Sequence, residues 1–384
     1  MVRVVRTEVP DPELAAQLYR NPYRAAAPRL PAFTPATAER VRAFHRTLPE
    51  YDATPLHELG GLARELGMAT VWLKDESARF GLKAFKGLGA SYALARAATA
   101  AGEIPLIVAT ATDGNHGRAV AWAAREQGHA AVIYVPAAAS RQRVEAIAAL
   151  GAEVRRCRGT YDDACALAAA AAEQHDWLLL QDTARPGYEQ IPQWIMQGYM
   201  TLMDETLEQL AGAMPTHVFL QCGVGSFAAS VVAYLAARLD PMPTIVLVEP
   251  QRAPCALAAF EADVATPPLL DGDTHTFMAC LACGQLSSLA WDILRTRTDF
   301  VMTVADDIAR EGMRMLARPQ AADPAVVSGE SGAATTGALL HLCAPGARRT
   351  DREMIGLDAD ARVLLISTEG DTDPAVYRNT VGGA

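Results

Sequence analysis

Residues 74–92 read Lys-Asp-Glu-Ser-Ala-Arg-Phe-Gly-Leu-Lys-Ala-Phe-Lys-Gly-Leu-Gly-Ala-Ser-Tyr. An apolar run, Ala69 to Leu73, leads into this stretch and stops at a charged turn that contains glycine. Beyond the turn, Phe85, Leu88 and Tyr92 recur at spacings of three and four, which predicts one face of a helix. Lys86 stands at the start of that helix, between Phe85 and the glycines Gly87 and Gly89. A lysine among apolar neighbours loses hydration, which disfavours its ammonium and frees the amine as a nucleophile. Such an amine can form a Schiff base with an aldehyde cofactor. Taken singly, a lysine is more often a solvated helix residue; the remaining motifs decide for chemistry.

Outward from this stretch, strand-like apolar runs lie near 105–110, 130–135, 152–156, 177–181, 216–221, 244–249, 300–304 and 362–367. Alanine-rich helical stretches at 116–127, 140–150, 161–175, 191–212 and 226–239 separate most of them. Strands alternating with helices imply crossover connections and mostly parallel sheet. Many of the runs lack polar alternation, as expected of strands covered on both faces. The expected class is α/β, with doubly wound, mostly parallel sheets. Residues 1 to about 50, rich in Pro, Ala and Arg, read as an arm with short helices.

The chain has 384 residues, 51% hydrophobic and 20% charged, a composition that supports a large core. Its net charge of −10 and the lack of any Lys/Arg-rich run argue against nucleic acid as a partner. Residues 218–237 are uncharged and near membrane-span length. Gln221, Cys222, Gly223 and Gly225 in their first half fit strand, turn and helix better than one spanning helix. The first residues show no signal-peptide pattern, so a cytoplasmic protein is expected. Seven cysteines are scattered; Cys280 and Cys283 form a lone Cys-x-x-Cys, read as small buried hydrophobes. The eight histidines show no ligand spacing, and no metal site is expected.

Four further motifs carry chemistry. Ala111-Thr-Asp-Gly-Asn-His-Gly117 follows a strand and opens a helix, where glycines and free N–H groups admit a ligand. Asp113 in it can remove or deliver a proton, whereas His116 reads as a buttress of the loop. Gln181-Asp-Thr-Ala-Arg-Pro-Gly-Tyr188 puts Asp182 just past a strand's C-terminal end, where open α/β sheets bind ligands. Gln221-Cys-Gly-Val-Gly-Ser-Phe227 lies between strand and helix and suits a phosphate, although a Gly-x-Gly pattern is weak and Walker A is absent. Leu365-Ile-Ser-Thr-Glu-Gly-Asp-Thr-Asp373 follows the last strand; Val327-Ser-Gly-Glu-Ser-Gly-Ala333 precedes it, with Glu330 open between a loop anchor and a cofactor neighbour.

In this order, the segments resemble the diaminopropionate ammonia-lyases, fold type II (tryptophan-synthase-β-like) pyridoxal-phosphate enzymes. Thr54-Pro-Leu, Val120-Ala-Trp-Ala-Ala, the run from Ile191 to Tyr199 and Leu281-Ala-Cys-Gly resemble the same branch. The resemblance implies that Lys86, and not its neighbour Lys83, carries pyridoxal 5′-phosphate. It implies that Asn115 hydrogen-bonds the ring's 3′-oxygen and that the backbone of Gly223, Val224, Gly225 and Ser226 cradles the phosphate. Ser367 or Thr368 would face the pyridine nitrogen. Asp182 would contact the substrate's β-amino group. The expected reaction converts 2,3-diaminopropionate to pyruvate and two ammonia, with Lys86 as base for the L-isomer and Asp113 for the D-isomer.

A homodimer is implied, as is a small domain at 89–205 inserted in a larger one built from 1–88 and 206–384. This chain departs from the family at Arg185-Pro186, a change expected to alter the substrate end of the pocket. That departure keeps a serine/threonine-type dehydratase or a β-replacement enzyme open as alternatives; from another class, a cofactor-binding regulator or a catalytically silent homologue is a third reading, against which the intact Lys86 argues.

Overall fold

The computed structural model describes residues 3–6, 15–28, 30–102, 104–112, 114–262, 264–319 and 321–382. Its strands are β1 (Val4–Arg6), β2 (Ala16–Arg20), β3 (Leu56–Glu58), β4 (Thr70–Asp75), β5 (Ile107–Ala111), β6 (Ala130–Pro136), β7 (Glu153–Cys157), β8 (Leu178–Leu179), β9 (His217–Gln221), β10 (Thr244–Pro250), β11 (Leu269–Asp271), β12 (Phe300–Val304) and β13 (Arg362–Ser367). The helices that shape the site are α1 (Pro35–His45), α2 (Gly60–Leu66), α3 (Lys86–Ala100), α4 (Asn115–Glu126), α5 (Arg141–Ala148), α6 (Tyr161–His175), α7 (Gln190–Gln209) and α8 (Ser226–Arg238).

Seven strands form one sheet in the order β2-β12-β10-β9-β13-β4-β3. Its five inner strands run parallel, and the edge strands β2 and β3 are antiparallel to their neighbours. A second, wholly parallel sheet has the order β7-β6-β5-β8. The protein is α/β, with parallel-rich sheets as the alternation of elements requires.

Side-chain period two divides the core of the larger sheet. Val71, Leu73, Phe219, Val246 and Val248 face one apolar cluster. Trp72, Val218, Leu220, Ile245 and Leu247 face the other. That second cluster runs on through α3, α4, α7 and α8 to Val108, Ala131 and Ile133 of the smaller sheet. Helices α3 and α7 cross closely because glycines meet there: a Cβ at Gly198 would lie 2.4 Å from the Leu88 carbonyl, and one at Gly89 would lie 2.5 Å from Tyr199.

The N-terminal arm differs from the expectation of short helices. It holds the strands β1 and β2 as well as the helix α1. Strand β2 is short and mixed in polarity, Ala-Gln-Leu-Tyr-Arg, and it becomes a strand by pairing with β12 in residue register 16–20 to 304–300. A pairing so distant in sequence leaves no local pattern. Helix α1 is set locally: Thr34 Oγ1 accepts the Thr37 N–H, and Pro35 occupies the first turn.

Candidate active site

The C-terminal ends of β5, β8, β9 and β13 open into one cleft. Thr112, Gly114, Asn115 and His116 line it beyond β5, Asp182 beyond β8, Gly223 to Phe227 beyond β9, and Thr368 and Glu369 beyond β13. Open parallel sheets bind ligands at this end because helix N-termini and loop N–H groups converge there. Lys86, the first residue of α3, enters the cleft from the side.

Lys86 Nζ donates to Asp182 Oδ2 at 2.6 Å. It also stands 5.4 Å from the ring centre of Phe85 and 5.8 Å from that of Tyr199. Burial by itself would depress the ammonium, but the carboxylate opposite outweighs it and the net shift is upward. This reverses the depression expected from apolar neighbours alone, because the sequence could not show that Asp182, on another element, meets this lysine. Burial pushes Asp182 upward as well, yet Lys86 and His116 bring its carboxyl down to about 2. The neighbouring Lys83 takes no part: its Nζ bonds Asp371 Oδ1 at 2.6 Å on the half-exposed side of the turn.

Helix α8 is preceded by its cap Gly225, which has φ +84°, a conformation that side-chain-bearing residues rarely adopt. A Cβ at Gly223 would come within 3.1 Å of Cys283 Sγ, and one at Gly225 within 3.0 Å of Leu286. Gly225 is therefore needed for its backbone conformation, and Gly223 keeps the cup tight, over the first turn of α8, whose N–H groups have no intrahelical acceptor. Ser226 Oγ donates to the Asp182 carbonyl at 2.6 Å and ties the cup to the end of β8.

On the opposite wall, the Asn115 amide donates to Glu369 Oε2 and, at 3.3 Å, to Cys280 Sγ. The Ser331 N–H donates to Glu369 Oε1 at 2.9 Å. Of the two hydroxyls expected near the ring nitrogen, Thr368 lines the cleft, while Ser367 lies behind the wall and donates to Ser328 Oγ at 2.7 Å. Glu330 sits behind Ser331 and accepts from Arg143 Nη2 at 2.7 Å. Burial and the nearby Glu369 push its carboxyl up to about 7.

His116 buttresses the loop, as expected, through Nε2 and the Leu180 carbonyl at 2.8 Å. Arg185 and Pro186 are exposed, and Arg185 packs over the Tyr188 ring at 5.6 Å. Neither is among the residues that line the cleft. Asp113 lies outside the described residues.

Tyr161 and Ser331 line the cleft although the sequence reading gave them no role; Cys280 and Cys283, read as small buried hydrophobes, and Glu369, read as a neighbour of the ring partner and not the partner itself, line it too. Tyr161 opens α6 after a Thr160–Asp163 capping box, and Gln181 Nε2 donates to its hydroxyl at 2.8 Å. Only the capping box was there to be seen in sequence. Cys280 and Cys283 reach the wall on a turn at 279–283 whose branch-like sequence was noted without a role.

These walls fit pyridoxal phosphate. The cleft presents a primary amine, a glycine cup at a helix N-terminus that suits a phosphate, and a hydroxyl at Thr368. Buried polar atoms of its lining, His116 Nδ1, Gln221 Oε1 and Ser331 Oγ, have no protein partner. Native interiors rarely leave such atoms unpaired unless a ligand or water completes them. Among the described residues no group of three or more His, Cys, Asp or Glu could hold a metal ion.

Comparison with known proteins agrees with this geometry. The family model for pyridoxal-phosphate dependent enzymes matches residues 47–366. Diaminopropionate ammonia-lyase of Salmonella typhimurium is 45% identical over 366 residues, covering 89% of this chain and 91% of the relative. The Escherichia coli K12 protein of the same name is 43% identical over 372 residues, covering 91% and 92%. The crystal structure of diaminopropionate ammonia-lyase from Escherichia coli, in complex with an aminoacrylate-PLP azomethine reaction intermediate, superposes with a TM-score of 0.90 at 40% identity. It covers 95% of this chain and 96% of that one. With the lysine, the glycine cup and the strand-end carboxylate in one cleft, the chain belongs to the diaminopropionate ammonia-lyases, within the fold type II pyridoxal-phosphate-dependent enzymes.

Proposed function

We propose that this chain eliminates ammonia from 2,3-diaminopropionate, yielding pyruvate and two ammonia in all. The observation that carries the reading is the contact of Lys86 Nζ with Asp182 Oδ2 at 2.6 Å inside the cleft. A carboxylate that already holds one ammonium is suited to hold a substrate's β-ammonium. Pyridoxal phosphate, when bound, supplies an aldehyde carbon for amine exchange and a ring that takes up the electron pair left at Cα.

In this proposal Lys86 holds the cofactor's aldehyde carbon, and the N–H groups of Gly223, Val224, Gly225 and Ser226 hold its phosphate. Asn115 reaches the ring's oxygen, and Thr368, rather than Ser367, faces the ring nitrogen. A neutral hydroxyl there leaves that nitrogen largely unprotonated, which favours elimination over transamination. Lys86 Nζ removes the Cα proton of the L-isomer, and Asp113 removes that of the D-isomer from the other face. Asp182 orients the β-nitrogen, which departs as ammonia when its bond to Cβ breaks. Hydrolysis of the remaining carbon–nitrogen bond yields pyruvate and the second ammonia.

The same reading takes residues 89–205 as a small domain inserted in a large one, 1–88 plus 206–384; the two separate sheets support it. A homodimer in the cytoplasm is part of the proposal by resemblance. Among the described residues no helix is long and apolar enough to cross a membrane.

The test is pyruvate release from the purified yellow protein offered D- and L-2,3-diaminopropionate, serine and threonine separately. Pyruvate from diaminopropionate, with serine far slower, supports the proposal. Activity confined to the hydroxy amino acids would make the chain a dehydratase built on the same cofactor site.

A further inference from the structure

Two nitrogens face one oxygen in the cleft. Lys86 Nζ donates to Asp182 Oδ2 at 2.6 Å, and His116 Nδ1 lies 3.9 Å from the same Oδ2. The tautomer of His116 follows from its other contact. Nε2 lies 2.8 Å from the Leu180 carbonyl, which can only accept, so Nε2 carries the hydrogen. In the neutral ring Nδ1 is then a bare lone pair. It is buried and has no partner, and 3.9 Å is too long for a hydrogen bond. A lone pair aimed at a carboxylate is an unfavourable arrangement unless a proton comes between them.

We propose that Lys86 and His116 share a single proton across Asp182: when Lys86 Nζ gives up a proton to act as an amine, His116 Nδ1 takes it. The proposal rests on the reading of Lys86 as the cofactor-holding lysine. One N–H bond at Nζ breaks and its electron pair stays on nitrogen. Asp182 Oδ2 receives the proton and passes it on, and the Nδ1 lone pair forms the new N–H bond. The ammonium becomes a neutral amine, the neutral imidazole becomes an imidazolium, and Asp182 ends as the carboxylate it began as. The charge of the three groups is unchanged, so no net charge is created in a buried site, where it would be costly. Closing the gap at Oδ2 needs a shift of about 1 Å.

The electrostatic surroundings support the exchange. Burial holds the His116 imidazolium below the ordinary range; Asp182 favours it and the Lys86 ammonium opposes it. Once Lys86 is neutral the opposing cation is gone and the attraction of Asp182 remains. Other titratable groups nearby are the phenols of Tyr161 on α6, Tyr188 before α7 and Tyr199 on α7, and the Cys280 thiol on the 279–281 turn. Burial pushes all four up, so they stay neutral and do not compete for the proton. His116 is thus a positioning and proton-holding residue, beyond its role as a loop buttress.

The test is 15N NMR of histidine-labelled holoenzyme, before and after borohydride reduction, with His116 assigned by its loss in His116→Gln. In the yellow holoenzyme the imine nitrogen still carries its proton, so the comparison is made above the pH at which the visible band moves to shorter wavelength and that nitrogen is neutral; the reduced linkage is a secondary amine that stays protonated there, a fixed cation at Nζ. The expected result is that His116 takes up its proton, at Nδ1, with a midpoint at least one pH unit higher in that neutral-imine form than after reduction. Equal midpoints in the two states would overturn the shared proton. So would a hydrogen resident on Nδ1 throughout the titration.

Mass analysis of the reduced protein reports on the lysine separately. Cofactor fixed at Lys86 with an unmoved His116 midpoint sinks this inference alone. Cofactor fixed elsewhere sinks the lysine assignment and this inference with it. Glutamine keeps an amide N–H for the Leu180 carbonyl but offers no basic nitrogen. His116→Gln holoenzyme should keep its visible cofactor band and lose turnover roughly tenfold or more. Full turnover in His116→Gln would reduce His116 to a buttress.

Discussion

Two buried charge clusters flank the same turn, and they are built to opposite rules. Arg79, seven residues before Lys86, sits with Glu76, Glu205 and Lys74 in a cluster closed to solvent. Every donor there has an acceptor. Arg79 bonds Glu76, Glu205, Thr54 and the Asp52 carbonyl. Lys74 Nζ spends its three hydrogens on Thr54 O, Glu205 and Gln209. Around Lys86 the pairing is incomplete: one carboxylate serves the lysine, and His116 Nδ1 and Tyr199 Oη are left without partners. A saturated cluster holds strand β4, the 79–81 turn and helix α7 together. An unsaturated one keeps groups ready for a ligand. Burial alone therefore does not mark a functional charge; unspent hydrogen-bonding capacity does.

Mutation can break this contrast. The largest effect should come from Lys86→Met, which is expected to lower turnover of both diaminopropionate isomers by more than ~10⁴-fold. Its urea unfolding midpoint should fall less than that of Glu205→Gln, because Asp182, left without its cation, can take up a proton; a larger loss than in Glu205→Gln would make Lys86 a structural residue like Arg79. Next comes Glu205→Gln. Leaving Arg79 and Lys74 with one carboxylate fewer in the dry interior should cost about 3–5 kcal/mol, read by denaturant unfolding of the holoenzyme. Turnover per folded molecule should hardly change, and a stability loss under ~1 kcal/mol would mean that the cluster is not the fastening described.

Asp182→Asn should sharpen the comparison further. Turnover of diaminopropionate is expected to fall roughly 10²-fold, with serine affected less because it brings no β-ammonium. Equal losses on both substrates would remove Asp182 from substrate recognition. Asp113→Asn tests the other carboxylate by kinetics: the D-isomer should suffer more than the L-isomer, by about 10-fold or more. Equal losses would contradict a base on each face.

The smallest effect separates the clusters by pH. Burial opposes ionisation of both Asp182 and Glu205, but their cationic partners bring each down to about 2. A carboxyl depressed in this way contributes stability that is complete above about pH 4, its unfolded value, and is lost as pH falls through about 2. Urea midpoints followed from pH 5 to pH 2 should therefore drop in the wild type and drop less steeply in Asp182→Asn. Identical acid limbs would show that Asp182 is not paired with Lys86 in solution.

Much of this was legible in the chain because strands buried on both faces are written as uninterrupted apolar runs. The runs near 130–135, 244–249, 300–304 and 362–367 became β6, β10, β12 and β13 almost residue for residue. Glycine-rich turns after such strands marked the ligand end, since Gly223 and Gly225 stand where a Cβ would be tightly crowded. The arm was misread because β1 and β2 are strands only by virtue of partners at 269–271 and 300–304. Tyr161 was passed over because a tyrosine opening an alanine-rich helix looks like ordinary packing until Gln181 is seen holding it.

The sequence by itself determined the α/β class, the order of the motifs, and the residue types able to hold pyridoxal phosphate and an ammonium substrate. The class and the placing of the motifs follow from local periodicity and turn chemistry, which act over a few residues; the cofactor and substrate roles follow from the resemblance of those motifs to the family. Only the tertiary structure decided that Lys86 is paired and held charged, that Thr368 and not Ser367 reaches the cleft, and that His116 turns a bare nitrogen toward Asp182. Those outcomes depend on charges and hydrogen bonds between residues tens to hundreds of positions apart. They come into being only when the ends of β5, β8, β9 and β13 are brought to one place and water is excluded from around them.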